Sequence, residues 1–296
     1  MKSTFIYKNM GNCSIKGDFY PVEGKKKPLV VYIHGGGLIW GDRSEILDEQ
    51  VRLYHDAGFN VCSIDYRLAP ETKLPQIAED IQDALVWLKD KGNEEYDFDS
   101  ERIAVVGTSA GGYLALLSGT FDVKPKAIVS FYGYGNILAS WYTRPSAHFT
   151  KMTKVPEMLA RQLIQKKAIS EAPIERRYAI YLYCRQQGKW NDYVSGLNPI
   201  LAADKLRDYC PIENITANYP ATMLLHGDTD KDVPYEESLK MSDALANAGI
   251  KQQLITIPGG EHQFDREMQK PVVADAFKEV IDFLQETLQK TGTTTK

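Results

Sequence analysis

The sequence predicts an α/β fold, with a mostly parallel central sheet and helices on both of its faces. Three observations carry this. Six short apolar runs recur along the chain without polar alternation, as in strands covered on both faces. Helical patterns lie between them, the order that builds α/β layers. No period of about 20–50 residues repeats, which excludes a solenoid or propeller.

The elements follow in order. Thr4 to Lys8 and Ile15 to Tyr20 read as a hairpin, an antiparallel edge to the sheet. The buried strands are Leu29 to Ile33, Val61 to Ile64, Ile103 to Val106, Ala127 to Phe131, Thr222 to Leu225 and Leu254 to Ile257. Ile77, Ile81, Ala84, Leu85 and Leu88 share one helix face. Leu239, Met241, Ala244, Leu245 and Ala248 share another, on a helix that Gly249 stops, since glycine adopts the left-handed cap. Pro271 opens a last helix with Val273, Ala276, Phe277, Val280, Ile281 and Leu284 inward. The tail Thr291 to Lys296 is expected to fray.

From about 136 to 219 no core strand is expected. Pro156 to Lys167 and Pro173 to Gln187 read as helices. Some 80 residues are too many for a connector, so this segment is either a helical cap over a site or packed helical padding. Residues 131–193 hold 11 of the chain's 31 aromatic side chains. Such rings can wall an apolar pocket or simply pack helices onto the core.

Composition narrows the function classes. Of 296 residues, 43% are apolar and 25% charged, which excludes a disordered chain. The net charge of −4 gives no reason to expect a nucleic-acid partner. No apolar run reaches the roughly 18 residues of a membrane span. The four cysteines form no C-x-x-C pair, so no metal site and no disulfide scaffold is expected. The first residues lack the apolar stretch of a signal peptide, and the expected compartment is the cytoplasm.

Chemistry is concentrated in four loops. Gly107-Thr108-Ser109-Ala110-Gly111-Gly112 follows a strand and opens the apolar helix Tyr113 to Leu117. That is G-x-S-x-G in a strand–turn–helix, the context that exposes a nucleophilic serine at the top of a sheet. The bland alternative is a glycine-rich turn with a capping serine. His34-Gly35-Gly36-Gly37 also follows a strand; successive glycines bring backbone N–H groups close to a developing oxyanion. No Lys-Ser/Thr pair follows, which disfavours a phosphate loop. A nucleophilic serine needs a base and an orienting acid. Of the five histidines, only His262 follows the last strand on a glycine-rich loop. His226 ends a strand and reads as structural. The loop His226 to Pro234 offers Asp228, Asp230 and Asp232 as acids, and their spacing does not rank them.

These motifs resemble the α/β-hydrolase superfamily, and within it the HGGG-type esterases and prolyl-oligopeptidase-like carboxylesterases. His34 to Gly37, Asp65-Tyr66-Arg67-Leu68-Ala69-Pro70-Glu71, Gly107 to Gly112, His226 to Pro234 and Gly259 to Phe264 stand in the family order. Thr108 departs from it, where HGGG esterases often carry Asp. The resemblance implies a single α/β-hydrolase domain over residues 1–296, with a helical cap at about 136–219. It selects Asp230 as the acid of a Ser109–His262–Asp230 triad, with Asp232 as runner-up. It implies an oxyanion hole of Gly36, Gly37 and Ala110 and a cofactor-free serine esterase acting on small carboxylic esters. A peptidase or amidase of the same fold, or a catalytically dead ligand-binding homologue, are the alternatives. Asp65 to Pro75 reads as a structural brace. Trp40, Tyr183 and Arg185 are the candidates for contact with substrate.

Overall fold

The apolar runs become strands, extended by a few residues at their ends. The computed structural model describes residues 2–289; the tail Thr291 to Lys296 lies outside them. Its strands are β1 (Ser3–Met10), β2 (Cys13–Tyr20), β3 (Lys27–Ile33), β4 (Asn60–Ile64), β5 (Phe98–Thr108), β6 (Ala127–Phe131), β7 (Ala221–Gly227) and β8 (Gln252–Ile257). They form one sheet in the order β1-β2-β4-β3-β5-β6-β7-β8. β1 and β2 pair antiparallel, as do β2 and β4, giving the expected antiparallel edge. Every pair from β4 to β8 is parallel.

Among the described residues the α-helices are α1 (Asp48–Asp56), α2 (Leu74–Trp87), α3 (Asn93–Tyr96), α4 (Ala110–Ser118), α5 (Ser140–Thr143), α6 (Glu157–Gln162), α7 (Tyr178–Gln187), α8 (Trp190–Val194), α9 (Ala203–Arg207), α10 (Glu236–Asn247) and α11 (Pro271–Thr287). None is long and apolar enough to cross a membrane. Alternation along β3 sorts the layers. Leu29, Val31 and Ile33 share a core with α2, α4 and α10, whereas Val30 and Tyr32 share one with α1 and α11. Helices therefore cover both faces, which is why the strands carry no polar alternation.

Between β6 and β7 the described residues contain α5 to α9 and no strand; Gly41 and Ala172 make one isolated bridge. The expected helices there are cut short. Instead of reaching Lys167, α6 ends at Gln162, and the Gln165 N–H donates to Glu71 Oε1 at 2.6 Å. Instead of starting near Pro173, α7 starts at Tyr178, after a 3-10 turn over Ile174–Arg176. Arg177 sits at the break. Its guanidinium donates to Glu71 Oε1 and Oε2 at 2.6 Å each, to Ala69 O at 2.6 Å and to Ile39 O at 2.9 Å. A distant carboxylate thus overrides local helix propensity. Most of the aromatic rings here are core: Tyr134 stacks on Tyr113 at 4.9 Å and Tyr142 on Trp190 at 4.2 Å.

Both members of the Arg177–Glu71 pair are 1% exposed. Removing one charge leaves the other buried and unpaired. Arg177→Ala is therefore expected to lose about 3–5 kcal/mol of unfolding free energy in a urea titration. A loss below about 1 kcal/mol, the range of an exposed pair, would contradict the anchoring role.

Candidate active site

Ser109 occupies the single-residue turn between β5 and α4, with φ 55° and ψ −119°. A non-glycine residue there costs of order 1–3 kcal/mol and persists only where its surroundings dictate it. They do. The Ser109 N–H donates to Phe131 O at 2.9 Å and its carbonyl accepts from the Tyr113 N–H at 2.9 Å. A Cβ on Gly107 would lie 2.1 Å from Gly111 O, and one on Gly111 would lie 2.1 Å from Ile33 O. Only glycine at both positions lets α4 start this close to the sheet.

His262 lies just beyond β8, and its ring links two loops. Its Nε2 is 3.1 Å from Ser109 Oγ and its Nδ1 is 2.7 Å from Asp230 Oδ2. A carboxylate only accepts, so Nδ1 carries the proton and Nε2 is free to accept from the serine hydroxyl. Asp230 Oδ1 accepts the N–H groups of Asp232 and Val233 at 2.8 and 3.0 Å. Asp232, the other candidate acid, has its Oδ2 3.9 Å from His262 Nε2, on the opposite side of the ring from Nδ1. Geometry thus separates two acids that spacing could not.

Burial works to raise the Asp230 carboxyl, but hydrogen bonds from His226 and His262 and their charge hold it well below the usual range. His226 is fully buried as expected. Its Nε2 is 3.0 Å from Val233 O and also 3.3 Å from Asp230 Oδ2, a contact that the strand-end position did not reveal. For His262, burial opposes the cation. The Asp230 hydrogen bond and the charges of Asp232, Asp230 and Asp265 outweigh it, and the imidazole titrates above its ordinary value.

The glycine loop is held by its carbonyls. Tyr66 Oη donates to His34 O and Gly35 O at 3.1 and 2.8 Å. Gly36 O accepts from the Ile39 and Trp40 N–H groups, and Gly37 O accepts from Trp190 Nε1 at 3.0 Å. In a trans peptide the N–H points opposite the preceding carbonyl. Fixing the Gly35 and Gly36 carbonyls therefore fixes the Gly36 and Gly37 N–H groups, which have no acceptor among the described residues. Both glycines have positive φ, 88° and 61°. Ala110 heads α4, so its N–H is one of the orphan donors of a helix start. His34 is buried and stacked on Tyr66 at 4.3 Å. Burial lowers its pKa to about 4, so it stays neutral.

Gly36, Gly37, Trp40, Ser109 and His262 line one pocket, with a volume of about 110 Å³. The other two substrate candidates do not line it. Tyr183 packs against Tyr193 at 5.5 Å. It lies two residues from Tyr181, which puts it on the opposite face of α7. Arg185 is occupied by Asp232 Oδ1 at 2.5 Å, Asp232 O at 2.9 Å and Tyr181 Oη at 2.6 Å. The pocket has instead Tyr178 and Tyr181 on one wall, and Tyr132, Glu45, Asp265 and Arg266 among its polar lining. The sequence reading missed these. Tyr132 Oη donates to Asp265 Oδ1, and its ring lies 4.6 Å from the ring of His262.

Known proteins share the fold that carries this site. Residues 18–245 match the family model described as BD-FAE. The chain belongs to the BD-FAE family. This BD-FAE chain is similar to a Staphylococcus aureus protein of unknown function, with 25% identity, a TM-score of 0.78 and coverage of 98% of this chain and 100% of that one. It is also similar to an α/β-hydrolase superfamily protein from Enterococcus faecalis, with 25% identity, a TM-score of 0.75 and coverage of 97% and 99%. A thermophilic carboxylesterase cloned from a metagenomic library shares the fold at 23% identity, with a TM-score of 0.72 over 98% of this chain and 90% of that one. The α/β-hydrolase fold expected from the motifs is the fold observed. Among curated relatives, the non-reducing polyketide synthase ausA of Aspergillus calidoustus is 31% identical over 300 residues, which is 83% of this chain. The chain spans about 12–14% of the length of the curated relatives it matches.

The raised His262 pKa has a measurable consequence. Its ring is expected to titrate above the free value of about 6.5, read from the Cε1–H resonance by NMR, and Asp230→Asn is expected to lower that midpoint. A group with a raised folded pKa stabilises the fold below its unfolded pKa and loses that contribution as pH rises through the folded value. A wild-type midpoint below about 6.5 would contradict the pairing with Asp230.

Proposed function

We propose that the chain is a serine carboxylesterase acting on small carboxylic esters. The observation that carries this reading is the relay of 3.1 and 2.7 Å from Ser109 through His262 to Asp230, centred on a strained turn. In the mechanism, Ser109 Oγ attacks the ester carbonyl carbon while His262 Nε2 takes its proton. The carbonyl oxygen becomes an oxyanion, bound by the N–H groups of Gly36, Gly37 and Ala110. The intermediate collapses, the C–O bond to the alcohol breaks, and His262 returns the proton to the leaving oxygen. Water, deprotonated by the same nitrogen, then hydrolyses the acyl-enzyme. Asp230 holds the tautomer and stabilises the imidazolium without taking the proton.

The pocket volume of about 110 Å³ supports a short acyl group; it is smaller than the roughly 150 Å³ cavity that holds benzene in a protein core. In this reading the whole chain acts as one hydrolase domain and residues 136–219 act as its cap. Two contacts support the cap role: Trp190 fixes a carbonyl of the glycine loop, and Tyr181 forms a pocket wall.

Ser109→Ala is expected to lower kcat on p-nitrophenyl acetate by at least about 10⁴-fold; retained activity would sink the assignment. The base must be neutral to accept a proton. Because the His262 pKa is raised, kcat/KM is expected to fall as pH drops through a midpoint above about 6.5. A profile flat down to pH of about 5 would exclude His262 as the base.

A further inference from the structure

Asp232 is the acid-loop carboxylate that the triad leaves unused. Its Oδ1 is saturated by Arg185 Nη1 at 2.5 Å and Tyr181 Oη at 2.6 Å, while Arg185 Nη2 donates to its carbonyl at 2.9 Å. Arg185 is 2% exposed, with the rings of Trp141, Tyr142, Phe149 and Tyr181 at 4.8–5.5 Å. A guanidinium stacked in this way is fixed in place, and it fixes the carboxylate. The second oxygen, Oδ2, accepts no hydrogen bond among the described residues. The Asp232 side chain is 22% exposed and lines two cavities that meet at His262. One lies over Ser109; the other is formed with His148, Phe149, Met152 and Tyr178.

The position of Oδ2 has a chemical meaning. In acyl transfer His262 Nε2 delivers its proton to the leaving oxygen, which must then lie at about 2.6–3.2 Å from it. Asp232 Oδ2 is 3.9 Å from that same nitrogen. An anchored acceptor there is within reach of an atom two or three bonds further along the leaving alcohol.

We propose that Asp232 Oδ2 recognises a hydrogen-bond donor, an ammonium or hydroxyl group, carried by the leaving alcohol of the ester. The proposal rests on the esterase reading of Ser109. A carboxylate only accepts, so a donor on the alcohol is bound, an apolar isostere leaves the oxygen unmatched, and a carboxylate is repelled. Arg185 and Tyr181 act through Asp232 as positioning residues. The neighbouring cations have partners of their own: Lys231, which also lines the second cavity, pairs with Glu261 at 3.2 Å, and Arg266 with Glu45 at 3.5 Å.

The test compares two nearly isosteric acetate esters on the full chain at neutral pH. One is 2-(dimethylamino)ethyl acetate, protonated and donor-only at its nitrogen; the other is 3-methylbutyl acetate. Wild type is expected to favour the ammonium ester by about tenfold in kcat/KM, the effect of one charge-assisted hydrogen bond. In Asp232→Asn, the side-chain oxygen must stay on Arg185, so the amide NH₂ replaces Oδ2 and presents a donor. The ratio is then expected to fall to about one or below. A wild-type ratio near one overturns the proposal. So does an unchanged ratio in Asp232→Asn, even if both rates drop together as a merely structural role would predict. If the variant does not fold, the wild-type ratio still decides. Hydrolysis of p-nitrophenyl acetate without cleavage of either alkyl ester overturns the Asp232 role alone. Failure on all three esters overturns the esterase reading itself, and the Asp232 role with it.

Discussion

The site depends on one steric constraint, the near-contact of backbones where α4 leaves the sheet. A Cβ at Gly111 would meet Ile33 O and His34 O at 2.1 and 2.4 Å, and one at Gly107 would meet Gly111 O. With α4 pressed this close, the chain reverses within one residue, and Ser109 takes positive φ there. The same contact brings the two working loops together. Ile33 pairs with Gly107 in the β3–β5 ladder, so the glycine loop and the serine leave the sheet side by side. Thr108 pairs with Phe131, and Gly227 with Ile257. The acid and base loops thereby leave the same ends of parallel strands, the edge where open α/β sheets bind ligands.

The second requirement is that a glycine loop be rigid although glycine itself is not. The loop meets it by surrendering its carbonyls. Tyr66, the Ile39 and Trp40 amides and Trp190 between them take the carbonyls of residues 34–37. Those donors come from both sides: Tyr66 follows β4, while Trp190 belongs to α8. The insertion is therefore part of the loop's support. Arg177 extends this by binding Ile39 O and Ala69 O while paired with Glu71. The stretch from Asp65 onward braces the site through these bonds, with Arg67 itself held by the fully buried Asp80.

What the sequence made legible was whatever is encoded locally. Buried strands announce themselves by unbroken apolar runs, and the serine turn by glycines at fixed offsets. His262 stood out because, of the five histidines, it alone follows the last strand on a glycine-rich loop. What remained hidden was settled by long-range partners. The stop of α6 depends on Glu71, more than 90 residues away in the chain. The roles of Tyr132 and Asp265 depend on each other across 133 residues. Tyr183 and Arg185 stay off the pocket for two reasons: Arg185 is held by Asp232, and Tyr183 lies on the wrong face of its helix. Residues two apart on a helix cannot share a face, whereas Tyr181 and Arg185, four apart, do. The phase of α7 was available in the sequence; which face met the pocket was not.

The electrostatics of His262 follow from how its three neighbouring carboxylates differ. Three unscreened charges beside one imidazole would hold it protonated and useless as a base. They are not equivalent. Asp230 accepts two backbone N–H groups and contacts two histidines, so its ionised form is the stable one and it cannot take the proton from His262. Asp232 is matched by Arg185, whose guanidinium the aromatic cage holds in place. Asp265 is buried, which raises its pKa despite hydrogen bonds from Tyr132 and Gln50, so its negative charge comes at a higher pH than that of an ordinary aspartate. Donor number, ion pairing and burial thus give three identical side chains three different surroundings. The imidazole is left with a raised pKa, and the nitrogen that takes the serine proton as a base must return it as an acid.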